Sequence, residues 1–183
     1  MSKKRVIFLD RDGTLNQDPG YLSDSKQLTL LPGVTEGLHA LREMGYFFVV
    51  VSNQSGIGRG LITEQELRAV NNRLLELLGE TAKAFLGFKM CIHHPLEQCS
   101  CRKPSPELIF QSIREYNVDP HASYMVGDRI SDLEAGWNAG LAGSVLVLTG
   151  HGHESAQDPR AHKACVVVSG LVGLAEYLRS IKR

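Results

Sequence analysis

Two aspartates stand close together near the N-terminus, separated by one residue and followed by a glycine. Asp10 and Asp12 come directly after the apolar run Val6–Leu9, and Gly13 follows them. At the end of a strand, side chains at positions i and i+2 face the same side of the chain, and a glycine lets the backbone turn away. Two carboxylates placed in this way can hold a cation. Aspartates also begin turns, so on its own this pair is consistent with a functional or a purely structural role.

Two further polar loops follow predicted strands. Ser52 comes after the run Phe47–Val51 and opens a loop with three glycines, which would let the backbone approach an anion closely. The glycine spacing is not that of a dinucleotide-binding fingerprint. Asp128 follows the run Tyr124–Val126, and Asp132 lies four residues further on, where it either caps a helix or contacts a ligand.

Three aspartates from these loops would place three negative charges in one cleft. Asp10, Asp12 and Asp128 could share it at acceptable cost only if a hard cation neutralised them, and Mg²⁺ suits this role. A carboxylate beside Mg²⁺ and a bound phosphate can act as a nucleophile, forming an aspartyl phosphate that water then cleaves. Lys103 would supply the positive charge needed at the oxygens of a transferring phosphoryl group.

Three of the four cysteines lie within the segment 91–101, together with histidines. The candidate ligands are three thiolates and one imidazole: Cys91, His93, Cys99 and Cys101. Such a set matches a closed tetrahedral Zn²⁺ site with no open position for catalysis, so we expect a structural zinc that rigidifies the loop before Arg102. Strand alternation favours His93 over His94 as the nitrogen ligand. Cys165 lies in an apolar run and is expected to belong to the core.

The elements that must position these residues alternate between strand-like runs and amphipathic segments. This alternation predicts an α/β fold with a doubly wound, Rossmann-like parallel sheet and helices on both faces. In such a sheet, ligands bind beyond the carboxyl ends of the strands, where the polar loops above are placed. The predicted strands are Val6–Leu9, Phe47–Val51, Gly87–Ile92, Tyr124–Val126, Ser144–Leu148 and Cys165–Val168. The predicted helices are Val34–Met44, Thr63–Gly79, Pro106–Tyr116, Asp132–Ala139 and Leu171–Ile181.

Length and composition limit the classes of protein. The chain has 183 residues without repeats or a linker, which predicts one domain spanning residues 1–183. Lys plus Arg and Asp plus Glu are each 20, and this balance argues against a nucleic-acid or acidic-membrane partner. No apolar stretch reaches the roughly 18 residues of a spanning helix, and no secretory signal is evident. We therefore expect a cytoplasmic protein, with a monomer as the simplest state.

The order of the motifs resembles that of the haloacid dehalogenase superfamily of phosphatases. The resemblance extends over residues 6–148 and rests on Asp10, Asp12, Gly13, Thr14, Ser52, Lys103, Gly127, Asp128 and Asp132. It implies that Asp10 is the nucleophile and Asp12 the general acid/base. It also implies that Ser52 and Lys103 hold the phosphoryl group. Mg²⁺ would be bound by Asp10, the backbone carbonyl of Asp12, and Asp128. No large cap insertion is evident in the interval 15–51, so the site should be open.

Within that superfamily the cysteine-rich loop is similar to two groups of enzymes, the D-glycero-D-manno-heptose 1,7-bisphosphate 7-phosphatases and the histidinol-phosphate phosphatases. The segments 18–21 and 53–60 are more similar to the first group, which implies a sugar bisphosphate substrate and a role in ADP- or GDP-heptose precursor synthesis. A bisphosphate also needs cationic contacts beyond the phosphate that is cleaved. The resemblance implies that the substrate contacts are Asp18, Pro19, Gly20, Tyr21, Asn53, Gln54, Ser55, Arg102 and Arg129, and Arg59 is a further cationic candidate.

Other functions remain open at this stage. Histidinol phosphate is the alternative substrate within the same chemistry. A receiver-type signalling domain also combines an acidic Mg²⁺ site, a phospho-accepting aspartate, a hydroxyl and a lysine on a doubly wound sheet, but it requires neither Asp12 nor the cysteine loop. A zinc-stabilised binding module would leave the three aspartates without a purpose. Multiple turnover of a phosphate ester separates the enzymes from the other two.

Overall fold

Six parallel strands form a single sheet in the computed structural model, which describes residues 2–164 and 166–181. The strands are β1 (Val6–Leu9), β2 (Phe47–Asn53), β3 (Phe85–Cys91), β4 (Tyr124–Gly127), β5 (Gly143–Val147) and β6 (Val166–Val168). Their order across the sheet is β3-β2-β1-β4-β5-β6. This is the order of a doubly wound sheet, and it confirms the predicted fold class.

The central strands are apolar on both sides because both faces of the sheet are covered. All four residues of β1 are fully buried, and β2 carries the consecutive buried residues Val49, Val50 and Val51. Leu9 at the end of β1 is in register with Val50 on one side and with Val126 on the other. Strand β4 continues one residue and β2 three residues beyond this level, and the loops that follow the three strands emerge side by side at the same edge of the sheet.

The helices are α1 (Val34–Glu43), α2 (Glu64–Leu78), α3 (Glu107–Tyr116), α4 (Ile130–Asn138), α5 (Gly152–Ser155) and α6 (Leu171–Ser180). Apolar residues of α1, α2 and α6 pack on one face of the sheet, whereas those of α3 and α4 pack on the other. Within the described residues, no helix combines the length and the apolar character that crossing a bilayer requires.

Several elements differ from the sequence-based boundaries by one to two residues at an end. Strand β2 continues to Asn53, so Ser52 lies within this strand and not in the loop that follows it. Helix α4 begins at Ile130 rather than at Asp132, because the Asp132 side chain caps the first turn from inside the helix. The short helix α5 was not predicted. Cys165, which was expected to begin the last strand and belong to the core, lies outside the described residues.

The chain reverses its direction of winding between β1 and β4. From β1 the sheet extends through β2 to β3 on one side and through β4 to β6 on the other. Connections therefore leave the carboxyl ends of β1 and β4 in opposite directions, and a crevice opens between them. The loops that carry the candidate residues flank this crevice.

Candidate active site

Lys103 lies beneath the crevice and is surrounded by oxygen atoms. Its Nζ is 2.8 Å from Oδ1 of Asp10 and 2.6 Å from Oδ1 of Asp132, and it donates to the carbonyl oxygen of Val51 at 2.7 Å. Burial acts to lower the pKa of this amine, but the two carboxylates outweigh burial and raise its pKa above the ordinary value. Lys103 is therefore charged, and it fixes the Asp10 carboxylate relative to α4.

Asp128 is fully buried where β4 ends. Its Oδ2 accepts the backbone N–H of His151 at 2.8 Å, whereas its Oδ1 has no hydrogen-bond partner among the described residues. Burial, together with the nearby negative charge of Asp10, raises the pKa of Asp128 to about 7. A buried carboxylate oxygen without a partner beside a second acid is an arrangement that a cation would relieve.

The loop after β1 reaches Asp128 because position 13 is a glycine. Gly13 has a φ of 83°, in the left-handed region that residues with a side chain rarely adopt. A Cβ atom on this residue would lie 2.3 Å from Oδ2 of Asp128. Thr149 holds the same turn from the other side, since its hydroxyl donates to the Gly13 carbonyl at 2.6 Å.

Three carboxylates converge at this point. Asp10, Asp128 and Asp132 each place one oxygen within 4.8 Å of the other two. Oxygen donors of this kind are the ligands that Mg²⁺ prefers, and the unpartnered oxygen of Asp128 fits the same ion. Asp132 was left open between a helix cap and a ligand. It caps α4 by accepting the Arg129 N–H at 3.0 Å with Oδ2, and it pairs with Lys103 through Oδ1.

The Asp12 carboxylate does not belong to this cluster, and four N–H donors hold it in a separate position. The guanidinium of Arg11 binds both of its oxygens, through Nε at 3.1 Å and Nη2 at 2.9 Å. Asn16 donates to Oδ1 at 2.8 Å, and Gln54 donates to Oδ2 at 2.7 Å. The expected part of Asp12 in cation binding involves only its backbone carbonyl. Its carboxylate lines the cavity but is held apart from the other three carboxylates by these donors.

Polar residues at the end of β2 connect these groups. The Gln54 amide that binds Asp12 also donates to Oγ of Ser52 at 2.9 Å. The Asn53 amide exchanges two hydrogen bonds with the Lys103 backbone, at 3.2 and 3.0 Å. Asn53 and Gln54 were expected to contact substrate. Both line the cavity, and their recorded hydrogen bonds hold Ser52, Asp12 and Lys103 in place.

A cavity of about 470 Å³ opens above these groups. Its lining includes most of the predicted catalytic and substrate-binding residues and adds Gly56, Ser131 and Asp132. The lining residues are Asp10, Asp12, Asp18, Gly20, Tyr21, Ser52, Asn53, Gln54, Ser55, Gly56, Arg102, Lys103, Arg129, Ser131 and Asp132.

Two of the expected substrate contacts do not line the cavity. Pro19 and Arg59 are both exposed to solvent and lie outside its lining. At the rim, Nη2 of Arg129 lies 3.4 Å from Oδ2 of Asp18, so the loops after β4 and β1 meet across the entrance. Arg102 also lines the cavity.

The cysteine-rich segment brings its four predicted ligands together at the end of β3. Cys91, His93, Cys99 and Cys101 each place one ligand atom within 4.8 Å of the others. A Zn–S distance of about 2.3 Å places two sulfur ligands of a tetrahedral site about 3.8 Å apart. The Sγ atoms of Cys91 and Cys99 are 3.6 Å apart, close to that value. His94 is not part of the cluster, and its Nδ1 accepts the backbone N–H of Leu96 instead.

This segment packs directly against the loop after β2. The backbone N–H of Gly58 donates to the Ile92 carbonyl at 2.9 Å, and a Cβ on Gly58 would lie 2.2 Å from the backbone nitrogen of His94. Arg102 donates to the carbonyl of His93 at 2.6 Å. The cysteine cluster therefore supports one cavity loop and one cavity arginine without entering the cavity.

Some residues of the site were not identified from the sequence. Arg11 was passed over between the two aspartates, although its guanidinium binds Asp12. Asn71, in the middle of α2, binds Arg11, and no local pattern indicates this contact. The loop before α5 was not assigned to the site, yet its His151 backbone N–H donates to Asp128. Of these three residues, only Arg11 could have been identified from the sequence, because it lies between two candidate catalytic aspartates.

Comparisons with known proteins agree with this geometry. A family model described as HAD-hydrolase-like matches residues 100–174. The chain is 36% identical over 185 residues to a D-glycero-beta-D-manno-heptose-1,7-bisphosphate 7-phosphatase of Pasteurella multocida, covering 98% of this chain and 99% of the relative. It is 39% identical to a D-glycero-D-manno-heptose-1,7-bisphosphate 7-phosphatase of Chlorobaculum tepidum, covering 85% and 84% of the two chains. A crystal structure of D,D-heptose 1,7-bisphosphate phosphatase from B. bronchiseptica, complexed with magnesium and phosphate, is similar with a TM-score of 0.88 and 32% identity, covering 97% of this chain and 99% of that one.

Proposed function

The chain belongs to the heptose bisphosphate phosphatase family of haloacid dehalogenase-like hydrolases, and we propose on this basis that it removes the 7-phosphate of D-glycero-D-manno-heptose 1,7-bisphosphate. The observation that carries the proposal is the Asp10 carboxylate, held by the buried Lys103 at the floor of the cavity beside Asp128. A receiver domain or a binding module does not account for Asp12, which faces the same cavity with its own set of donors.

In the first step, a carboxylate oxygen of Asp10 attacks the phosphorus atom. A bond forms between that oxygen and phosphorus, and the bond between phosphorus and the sugar oxygen breaks. Asp12 gives its proton to the departing sugar oxygen, so that an alcohol and not an alkoxide leaves. Lys103 and Ser52 lie where they can bind the oxygens of the transferring group, and Lys103 remains charged because two carboxylates surround it.

In the second step, water attacks the phosphorus of the aspartyl phosphate. Asp12, now ionised, accepts the proton of that water, and the bond between phosphorus and the Asp10 oxygen breaks. Inorganic phosphate leaves, and both aspartates return to their starting states. Gln54 donates to Asp12 and Ser52 and maintains the spacing between the proton-transfer group and the phosphate-binding hydroxyl.

The residues that would hold Mg²⁺ are Asp10 and Asp128, with the Asp12 carbonyl and with Asp132 beside them. When bound, Mg²⁺ would neutralise the carboxylates and polarise the phosphoryl oxygens. The geometry that supports this is the unpartnered Oδ1 of Asp128 within the carboxylate cluster. The thiolate and imidazole cluster at 91–101 would hold a structural Zn²⁺.

Selectivity for a bisphosphate would come from the cationic walls of the cavity. Arg102 and Arg129 both line the cavity and can bind the phosphate that is not cleaved. Because these residues and the catalytic groups all belong to one chain, we propose that the protein acts as a monomer. Its unpaired cysteines favour a reducing compartment such as the cytoplasm, where it would supply heptose precursors.

The test is phosphate release with Mg²⁺ from the heptose bisphosphate and from histidinol phosphate, measured in parallel. We expect strong preference for the bisphosphate, no turnover by Asp10→Asn, and normal turnover by Asp24→Asn, which changes an exposed aspartate in the same way. Preference for histidinol phosphate would keep the chemistry and change the substrate. Absence of turnover with either ester would contradict the catalytic assignment.

A further inference from the structure

Arg11 is one of the most completely buried side chains of the protein. Its exposed fraction is 1%, although it stands between two residues that line the cavity. Arg11 follows the end of β1, and its side chain reaches Asn71 of α2. A charged side chain in such a place requires compensation from hydrogen-bonding partners, and it cannot serve as a substrate-binding cation because it does not line the cavity.

Each part of the Arg11 guanidinium has a partner. Nε and Nη2 bind the two oxygens of Asp12 side by side, Nη2 also donates to Oε1 of Gln54 at 3.0 Å, and Nη1 donates to Oδ1 of Asn71 at 3.1 Å. A guanidinium that binds a carboxylate through two nitrogens fixes the plane and the direction of the carboxylate as well as its distance.

The anchor of this arrangement is on a different element. Asn71 lies in α2 and is 9% exposed. Its Oδ1 accepts the hydrogen bond from Nη1 of Arg11, the nitrogen that does not bind Asp12. The position of α2 over the sheet therefore determines where Arg11 lies. Arg11 in turn determines how Asp12 is presented to the cavity.

We propose that Arg11 is a positioning residue, anchored by Asn71, that holds the Asp12 carboxylate in the orientation needed for proton transfer. This inference rests on the proposed function, in which Asp12 protonates the leaving oxygen. Arg11 does not line the cavity, and its guanidinium binds Asp12 both directly and through Gln54. Its loss should therefore slow the steps in which Asp12 gives or accepts a proton more than it slows the attack of Asp10 on phosphorus.

That restriction gives a readout that a general loss of structure would not produce. A sugar oxygen is a poor leaving group and needs the proton, whereas 4-nitrophenolate leaves without one. Misorientation of Asp12 should slow hydrolysis of the heptose bisphosphate and have little effect on aspartyl-phosphate formation from 4-nitrophenyl phosphate. The ratio of the two single-turnover rates measures the role of Arg11.

The experiment compares Arg11→Met and Arg11→Lys with Arg5→Met, which removes a partly buried arginine at the opposite end of the same strand. General acid catalysis contributes about 10²–10⁴-fold, so we expect Arg11→Met to lose about 10²-fold on the bisphosphate and less than about tenfold on the aryl ester. Arg11→Lys keeps the charge without the planar fork and should fall between wild type and Arg11→Met. Arg5→Met should leave the ratio unchanged.

A second, milder pair of variants tests the proposal even if the Arg11 variants fail to fold. Asn71→Ala removes the anchor, and Asn72→Ala changes the exposed neighbour on the same helix. We expect Asn71→Ala to shift the ratio in the same direction by several-fold and Asn72→Ala to have no effect. Equal losses on both esters in the Arg11 and Asn71 variants would overturn the inference while leaving the proposed function intact. A wild-type protein inactive on both esters would instead overturn the proposed function.

Discussion

The carboxylate cluster and the cysteine cluster are both groups of metal-ligating side chains, and they are built in opposite ways. Asp10 and Asp128 follow two strands that are more than one hundred residues apart in sequence, and Asp132 lies in the first turn of α4. The cysteine cluster comes from the single short segment 91–101. The first contacts the cavity through Asp10 and Asp132, whereas no ligand of the second lines it.

This difference separates the residues that would carry out the reaction from those that support the cavity. The carboxylates come together only because the sheet brings the ends of β1 and β4 side by side. They surround the buried Lys103, and Oδ1 of Asp128 has no hydrogen-bond partner among the described residues. The thiolates need only a local turn, and they act on the cavity through the backbone contacts to Gly58 and Arg102. Damage to the first cluster should therefore abolish turnover, whereas damage to the second should mainly loosen the fold and weaken selectivity.

The largest expected effect is that of Lys103→Met in the carboxylate cluster. Loss of the amine removes the charge that faces the phosphoryl group and leaves the buried acids without their counter-ion. We expect kcat to fall by about 10³-fold and the free energy of unfolding to fall by about 3–5 kcal/mol. Phosphate release and urea unfolding measure the two effects.

The matched control is Lys89→Met, which removes the surface ion pair with Glu115. It should change the stability by less than about 1 kcal/mol and leave kcat unaffected. A Lys103→Met protein with near-normal turnover would contradict the role given to the carboxylate cluster.

The next effect comes from Gly13→Ala, which displaces one member of that cluster. The added Cβ would meet Asp128, and a misplacement of about 1 Å can cost about 10²-fold in rate. Gly140→Ala is a close control, because Gly140 also has a positive φ, of 68°, but has no atom within 4 Å of the added Cβ. Both variants carry the strain of a positive φ, but only Gly13→Ala adds the clash with Asp128, so it should lose more stability in thermal unfolding, and only it should lose kcat. Equal activities in the two variants would mean that Asp128 tolerates displacement.

A smaller effect on turnover is expected from the cysteine cluster. Cys99→Ser should reduce the bound zinc and lower Tm by about 5–10 °C, since 1 kcal/mol corresponds to about 2–4 °C in a chain of this size. Because the cluster supports the cavity only indirectly, kcat should fall by no more than about tenfold. Metal analysis, thermal unfolding and phosphate release test this. The control is Ser100→Ala, at an exposed position between two ligands, which should behave as wild type. If Cys99→Ser lost as much kcat as Lys103→Met, the two clusters would not differ in their roles.

The smallest effect should be that of Arg102→Ala, at the junction between the two regions. Loss of one charged contact to phosphate should raise KM for the bisphosphate by about tenfold and leave kcat nearly unchanged. The ratio of kcat/KM for the bisphosphate to kcat/KM for a sugar monophosphate should therefore decrease. Arg59→Ala, which changes an exposed arginine outside the cavity lining, should alter neither parameter. An unchanged preference in Arg102→Ala would show that this arginine does not read the second phosphate.

Most of the fold and much of the site follow from local features of the sequence. Runs of buried residues such as Val6–Leu9 mark strands, and their alternation with amphipathic segments selects a doubly wound sheet. Topology then brings strand ends together, so Asp10 and Asp128 are neighbours for the same reason that β1 and β4 are. The cysteine segment is predictable for a simpler reason, because all of its ligands are near one another in sequence.

Only the tertiary structure decided which groups hold the reactive side chains. Asp12, Arg11 and Asn71 come together because α2 packs against the sheet. Neither the periodicity nor the spacing of residues in the sequence indicates that Asn71 lies close to Arg11. The same holds for the His151 backbone that orients Asp128 and for the exclusion of Arg59 from the cavity. Sequence by itself determined the chemistry that is available, since the residue types and the order of the elements along the chain are read directly from it. The orientation of that chemistry depends on contacts between residues far apart in the chain, and these exist only once the helices have packed.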